Sequence, residues 1–354
     1  MGRGISFALI CAAGLVGGCG SSTSLFPDGG VISDAGMLPD GAKEAAGFGT
    51  IFTIVMENHD YNEVVGNLTD APYINGLIAR YGLATNYFDS GTHPSLPNYL
   101  YMVSGDTQYP GVIDVDPTTT IPGFCDFPVA ADNLGGQLTA SGVAWRAYME
   151  SMGTPCNLNG NDGYAPKHAP FLYFKNIQNG PDGLCAKTNV DYSQFAADLA
   201  SGQFRYMWIT PNLTDDGHDP GDNPPQGLKQ SDAWLQANLP AILDSAAYRN
   251  NGVVFITWDE AEGRSGNGGD QVPMIVISPR LVSPGFKSAQ HFNHANFLAT
   301  VEDIFGLPRL GAAANGDGQS ANMFVFFGPP VTVPTTPAGL VTGVPAGVGA
   351  TPAR

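Results

Sequence analysis

The chain has 354 residues, 43% of them hydrophobic, with 15 Lys and Arg against 32 Asp and Glu for a net charge of −17. An acidic chain without a basic patch excludes nucleic acid as a partner, because phosphate neutralisation needs clustered cations. An anionic substrate must then be drawn in locally, by a metal or by helix N-termini, not by the overall field.

In chain order, residues 1–18 carry one charge, Arg3, then an apolar run from Ile5 to Val16 and a small-residue stretch. This pattern is that of a secretory signal peptide. The run is shorter than the roughly 20 apolar residues that span a bilayer. Val16-Gly17-Gly18-Cys19 is similar to a bacterial lipobox, in which Cys19 becomes the lipidated first residue. The alternative is an ordinary signal cut nearby, with Cys19 incidental. Residues 19–47 are rich in Gly, Ser, Asp and Ala and read as a flexible tether. Residues 48–327 have no long linker and suit one α/β domain, and 328–354 read as a disordered tail. An exported, lipid-anchored protein of the bacterial cell envelope, in periplasm or at the surface, is the expectation. Export also permits a disulfide. Of Cys125, Cys156 and Cys185, the favoured pair is Cys156–Cys185, which closes a Gly/Asn-rich excursion.

Within the domain, Thr50–Met56 is a short β-rich apolar run, and similar runs occur at Phe204–Thr210, Gly252–Trp258 and Val272–Ser278. Helical patterns lie between them at Ala71–Tyr81, Leu96–Val103, Ala131–Ser141, Asp191–Ser201, Gln230–Ala246 and Asn293–Phe305. The alternation predicts an α/β fold with a mostly parallel central sheet and helices on both faces. Ligands of such sheets bind beyond the carboxyl ends of the strands. Glu57-Asn58, Asp259-Glu260 and Thr210-Pro211-Asn212 each follow a predicted strand there.

Ser95 stands in Thr92-His93-Pro94-Ser95-Leu96-Pro97-Asn98-Tyr99, where the prolines suit the first turn of a helix. The helix N-terminus would stabilise an alkoxide or a bound phosphate. A serine hydroxyl is a poor nucleophile unless a metal or a base helps it. A helix-capping serine fits the same spacing. Glu57, Asn58, Asp259 and Glu260 are hard oxygen donors for Mg²⁺, Ca²⁺, Mn²⁺ or Zn²⁺, although solvated loop acids would read alike. Among six histidines, His218 lies between acids in Asp215-Asp216-Gly217-His218-Asp219 and His294 follows a capping Asn293. Both are candidates for holding or protonating a phosphoryl group. His93 and His59 flank the site in sequence, and His168 falls in the excursion.

These segments, with Val55 to Tyr61, Thr92 to Gly105, Asn212 to Asp219, Phe255 to Glu260 and Asn293 to Phe305 in order, resemble the bacterial phosphoesterase family. That family holds acid phosphatases and phospholipase C enzymes, within the alkaline-phosphatase-like superfamily. The resemblance covers about residues 50–307. It implies a divalent metal held by Glu57, Asn58, Ser95, Asp259 and Glu260, with Ser95 accepting the phosphoryl group and His218 and His294 in phosphate-binding or acid roles. Glu260 departs from members that carry a second aspartate there, which bears on metal distance or preference. A sulfatase is disfavoured, because Ser95-Leu96-Pro97-Asn98-Tyr99 has Tyr99 where that branch requires arginine. The expected reaction is hydrolysis of phosphate monoesters by double displacement through phosphoserine. A phospholipase C-type diesterase and a non-catalytic surface binding lipoprotein are the alternatives. A small phosphate ester or phospholipid is the expected partner.

Overall fold

The computed structural model describes residues 47–108, 114–120, 126–218, 224–262, 270–314 and 321–331. The expected signal peptide, nearly all of the tether, Cys19 and Cys125 lie outside the described residues, as does the tail beyond 331. Ten strands occur among the described residues: β1 (Ile51–Met56), β2 (Gly82–Ala84), β3 (Tyr87–Phe88), β4 (Trp145–Met149), β5 (Asn189–Asp191), β6 (Tyr206–Thr210), β7 (Val253–Trp258), β8 (Met274–Ile277), β9 (Lys287–Ser288) and β10 (Phe292–Asn293). Eight form one sheet in the order β5-β4-β6-β1-β7-β8-β2-β9, and β3 pairs with β10. Only β8 runs against the other strands of the large sheet. β8 pairs antiparallel with both of its neighbours, β7 and β2.

The central strands β1, β6 and β7 are buried along their whole length. Side chains on both faces are therefore sandwiched between layers, which is why these segments read as continuous apolar runs. Each buried Phe, Ile or Val contributes about 1.5–3 kcal/mol relative to exposure. Helix Pro72–Arg80 packs on helix Pro224–Asp244, and helix Ser95–Ser104 packs on helix His294–Phe305. Helices thus cover the sheet in two packed groups.

Two expectations need correction. Strands β2, β4 and β5 were not legible as apolar runs: β4 carries Arg146, whose guanidinium pairs with Asp198 at 2.6 Å and lies 4.8 Å from the Phe204 ring centre. Residues 328–331, read as the start of the tail, are bonded to the domain. Arg280 donates to the Gly328 carbonyl, and Asn251 and Val331 exchange two hydrogen bonds of 3.1 and 2.7 Å. Cys156 and Cys185 form the favoured disulfide. No helix among the described residues is long and apolar enough to cross a membrane.

Candidate active site

The site is laid down by strand register. In the parallel pair β1–β7, Met56 lies opposite Trp258. Glu57 and Asp259 are the next residues on each strand, so two acids emerge side by side at the carboxyl edge, tied by a hydrogen bond from the Asp259 amide to the Met56 carbonyl at 3.0 Å. Beyond β6, the turn from Asn212 folds back until the Glu57 amide donates to the Asp216 carbonyl at 2.9 Å. Asn212 itself shapes that turn, accepting from the amides of Thr214 and Asp215. His59 secures the turn from the other side, with Nε2 3.0 Å from the Gly217 carbonyl.

Ser95 is the first helical residue of Ser95–Ser104, after an extended Pro94 that offers no side-chain cap. Leu96, Tyr99, Leu100 and Val103 give this helix its buried stripe. It stops at Gly105, whose φ is +68° and where an added Cβ would lie 2.6 Å from the Leu310 carbonyl oxygen. The capping alternative for Ser95 fails on geometry. The Leu96 amide is capped by Asp114, 3.2 Å away, and the Ser95 hydroxyl instead donates to Glu57 Oε2 at 3.0 Å, with Glu260 Oε1 at 3.5 Å.

Glu57, Asn58, Ser95, Asp259 and Glu260 thus meet at one point of the sheet edge. Glu57, Asp259 and Glu260 are buried, which excludes the reading of solvated loop acids. Burial, then the charge of Asp216, pushes the Glu57 carboxyl well above its usual range, although the Tyr99 hydroxyl, donating at 2.6 Å, opposes this. Burial, then Glu57 and Glu260, does the same to Asp259. The Ser95 contacts put the Glu57 and Glu260 carboxylates within about 6.5 Å of each other. At that separation two negative charges repel by roughly 2–3 kcal/mol with an effective dielectric constant near 20.

Both carboxylate oxygens of Asp259 and the Asn58 carbonyl oxygen are buried without a hydrogen bond among the described residues. Buried oxygens in this condition are costly unless something electropositive meets them. An all-oxygen donor set of this kind fits a divalent cation.

Several contributors escaped sequence reading. Asn98 donates to Glu260 Oε2 at 3.1 Å, and Tyr99 holds Glu57. They stand three and four residues after Ser95, the spacing that shares a helix face, and this signal was available. His168 was set aside with the excursion, yet its ring stacks on Tyr99 at 5.3 Å and its Nε2 lies 3.3 Å from Glu57 Oε1. Burial, with Lys167 and His218 nearby, keeps His168 well below the usual imidazole range, so it is neutral and this contact is no ion pair. Lys167 pairs with Asp114. Burial works against its charge, but Asp114, Glu57 and Asp259 together hold it protonated above the ordinary lysine range.

The two candidate histidines part company. His218 is half-buried in the Asp216 turn, where its amide donates to Asp216 Oδ1 at 3.1 Å. His294 is fully buried, with Nε2 2.7 Å from the Asp259 carbonyl and Nδ1 2.9 Å from the Tyr87 hydroxyl. Both of its nitrogens are engaged within the protein in this structure. His294 fixes the backbone beneath Asp259, and Asn293 caps its helix as expected.

The profile of the Phosphoesterase family matches residues 67–308. The chain is 32% identical over 273 residues to a phosphatidylinositol-3-phosphatase of Mycobacterium tuberculosis, covering 76% of this chain and 80% of that one. It is 28% identical over 279 residues to a probable acid phosphatase of Kluyveromyces lactis, covering 76% of this chain and 61% of the yeast protein, so it spans only about three-fifths of that relative. A solved protein of the alkaline phosphatase superfamily from Vibrio parahaemolyticus shares the fold, with a TM-score of 0.50 and 11% identity over 74% of this chain and 67% of that one. With the profile spanning more than half its length, the chain belongs to the Phosphoesterase family and is a phosphoric ester hydrolase.

Proposed function

We propose that this chain hydrolyses phosphate monoesters through Ser95, beside a divalent cation held by Glu57, Asn58, Ser95, Asp259 and Glu260. The observation that carries the reading is the Ser95 hydroxyl seated 3.0 Å from a buried carboxylate, amid buried oxygens that lack donors. The bound cation supplies positive charge that lowers the Ser95 hydroxyl pKa and offsets charge on the phosphoryl oxygens.

The chain's own residues do the rest. Glu57 receives the hydroxyl hydrogen bond and directs the Ser95 oxygen toward phosphorus. The Ser95 oxygen forms a bond to phosphorus while its proton passes to Glu57 and the bond to the ester oxygen breaks. The released alkoxide takes a proton from His218, on the Asp216 turn. Water then attacks the phosphoserine, releasing phosphate and returning a proton to Ser95. Tyr99 and Asn98 hold Glu57 and Glu260 in place by 2.6 and 3.1 Å hydrogen bonds.

A monoester carries one more charged oxygen than a diester, and Lys167 at this edge suits it. Relatives named as phosphatases support the same choice. Export and anchoring at Cys19 rest on residues 1–19 and belong to the same proposal. The test is hydrolysis of p-nitrophenyl phosphate and its bis ester before and after EDTA, with cations restored singly. Loss of monoester turnover with EDTA and recovery with one cation is expected. Turnover indifferent to prolonged chelation would remove the cation from the reading, and preference for the bis ester would replace phosphatase with a phospholipase C-type activity.

A further inference from the structure

We propose a second cation site, built by Asp89, His93 and Asp270, on the far side of Glu260 from Ser95. It does not depend on the serine chemistry above. Three separate segments supply it: the end of β3, the turn before the Ser95 helix, and the residue pair leading into β8. Each offers one ligand atom, and the three lie within 4.8 Å of one another. His93 Nε2 is 3.2 Å from Asp270 Oδ2 and 3.7 Å from Asp89 Oδ2. Donors about 2.0–2.2 Å from a tetrahedral ion lie about 3.3–3.6 Å apart, so these separations bracket a coordination sphere.

The surrounding bonds orient the set. Asp89 is buried, and its Oδ1 accepts from the amides of Gly91 and Asp270 at 2.7 and 2.8 Å. Its Oδ2 is thereby turned toward the imidazole, with only a 3.4 Å contact from the Ala261 amide. His93 Nδ1 lies 2.8 Å from Glu260 Oε2. A ligating imidazole usually gives its other N–H to a carboxylate, which fixes the tautomer and ring plane. Here that carboxylate is Glu260, leaving Nε2 with its lone pair toward the two aspartates. A dication would neutralise Asp89 and Asp270 with the imidazole uncharged.

The donors also set the class of ion. One imidazole nitrogen with two carboxylates favours Zn²⁺, whereas the Ser95 cluster offers only oxygen and suits harder ions as well.

The test is zinc content of the full chain after equilibrium dialysis against Zn²⁺, for wild type, Asp270→Asn, His93→Gln and Asp259→Asn, with circular dichroism to confirm folding. Two ions per wild-type chain, falling to one in both the Asp270 and His93 variants, is expected. A single wild-type ion that Asp270→Asn and His93→Gln both retain, or two ions retained in either folded variant, overturns the second site. A single wild-type ion that Asp270→Asn loses and Asp259→Asn keeps removes the strand-end cation and leaves the second site standing.

Discussion

Glu260 separates two clusters that handle buried negative charge in opposite ways. Toward Ser95, three acids and an amide meet beside the Lys167 ammonium, and among the described residues several of their oxygens have no hydrogen-bond partner. Toward His93, an imidazole stands among Glu260, Asp270 and Asp89, so every carboxylate has a nitrogen within 3.7 Å. The hydrogen bond that His93 gives to Glu260, working against burial, raises the His93 pKa when no cation is present. The first cluster is incomplete without an added charge. The second can stand with a proton in the place of a metal. Protein without cations should therefore be strained at Ser95 and settled at His93.

The largest break in that contrast is Ser95→Ala. It removes a hydroxyl but no carboxylate, so the fold should persist while phosphate release falls by on the order of 10³-fold or more. A residual rate above about a tenth of wild type in steady-state assays would displace Ser95 as nucleophile.

Next comes Asp259→Asn, which should act with opposite signs in the two states. Its folded pKa is raised, so the ionised form destabilises the cation-free fold increasingly as pH rises above the usual carboxylate range. At neutral pH in EDTA the variant should melt higher, by about 2–4 °C for each kcal/mol relieved. With excess cation, wild type should gain stability and the variant should not. Parallel melting curves in EDTA and in cation read both signs.

His168→Gln should be milder. It removes the ring stacked on Tyr99 and the neutral nitrogen beside Glu57, and kcat should drop by roughly ten-fold with KM changed less. A raised KM with kcat unchanged would make His168 a binding residue.

The smallest effect lies outside both clusters. Glu302, on the helix that carries His294, is pushed up to about 9, chiefly by burial, and its Oε2 has no partner among the described residues. The folded state thus keeps a proton that the unfolded chain loses near pH 4.5, and stability falls between those two values. Glu302→Gln should match wild type at pH 5 and exceed it at pH 8 by on the order of 1–2 kcal/mol, read from denaturant midpoints.

The legible part of the molecule was local. Strands buried on both faces show as apolar runs, and polar residues directly after such runs mark the sheet edge, so Glu57, Asn58, Asp259 and Glu260 could be found without coordinates. Asn98 and Tyr99 were reachable by helix spacing. His168, Asp89 and Asp270 were not, because each arrives through a connection whose path depends on packing elsewhere. His294 shows the converse: its place in the order of motifs was right, but only its neighbours reveal that both nitrogens are already engaged.

The Cys156–Cys185 bond brackets Lys167 and His168, which pair with Asp114 and stand 3.3 Å from Glu57 respectively. By chain-entropy arithmetic, a cross-link over 29 residues stabilises the fold by about 3–4 kcal/mol. The acids and Ser95 lie outside that bracket, on sheet and helix. Maturation in an oxidising environment therefore stiffens the segment that carries Lys167 and His168 and leaves the strand ends untouched. The same polypeptide made among reduced thiols would keep its strand-end acids in register yet hold Lys167 and His168 with a slack hand.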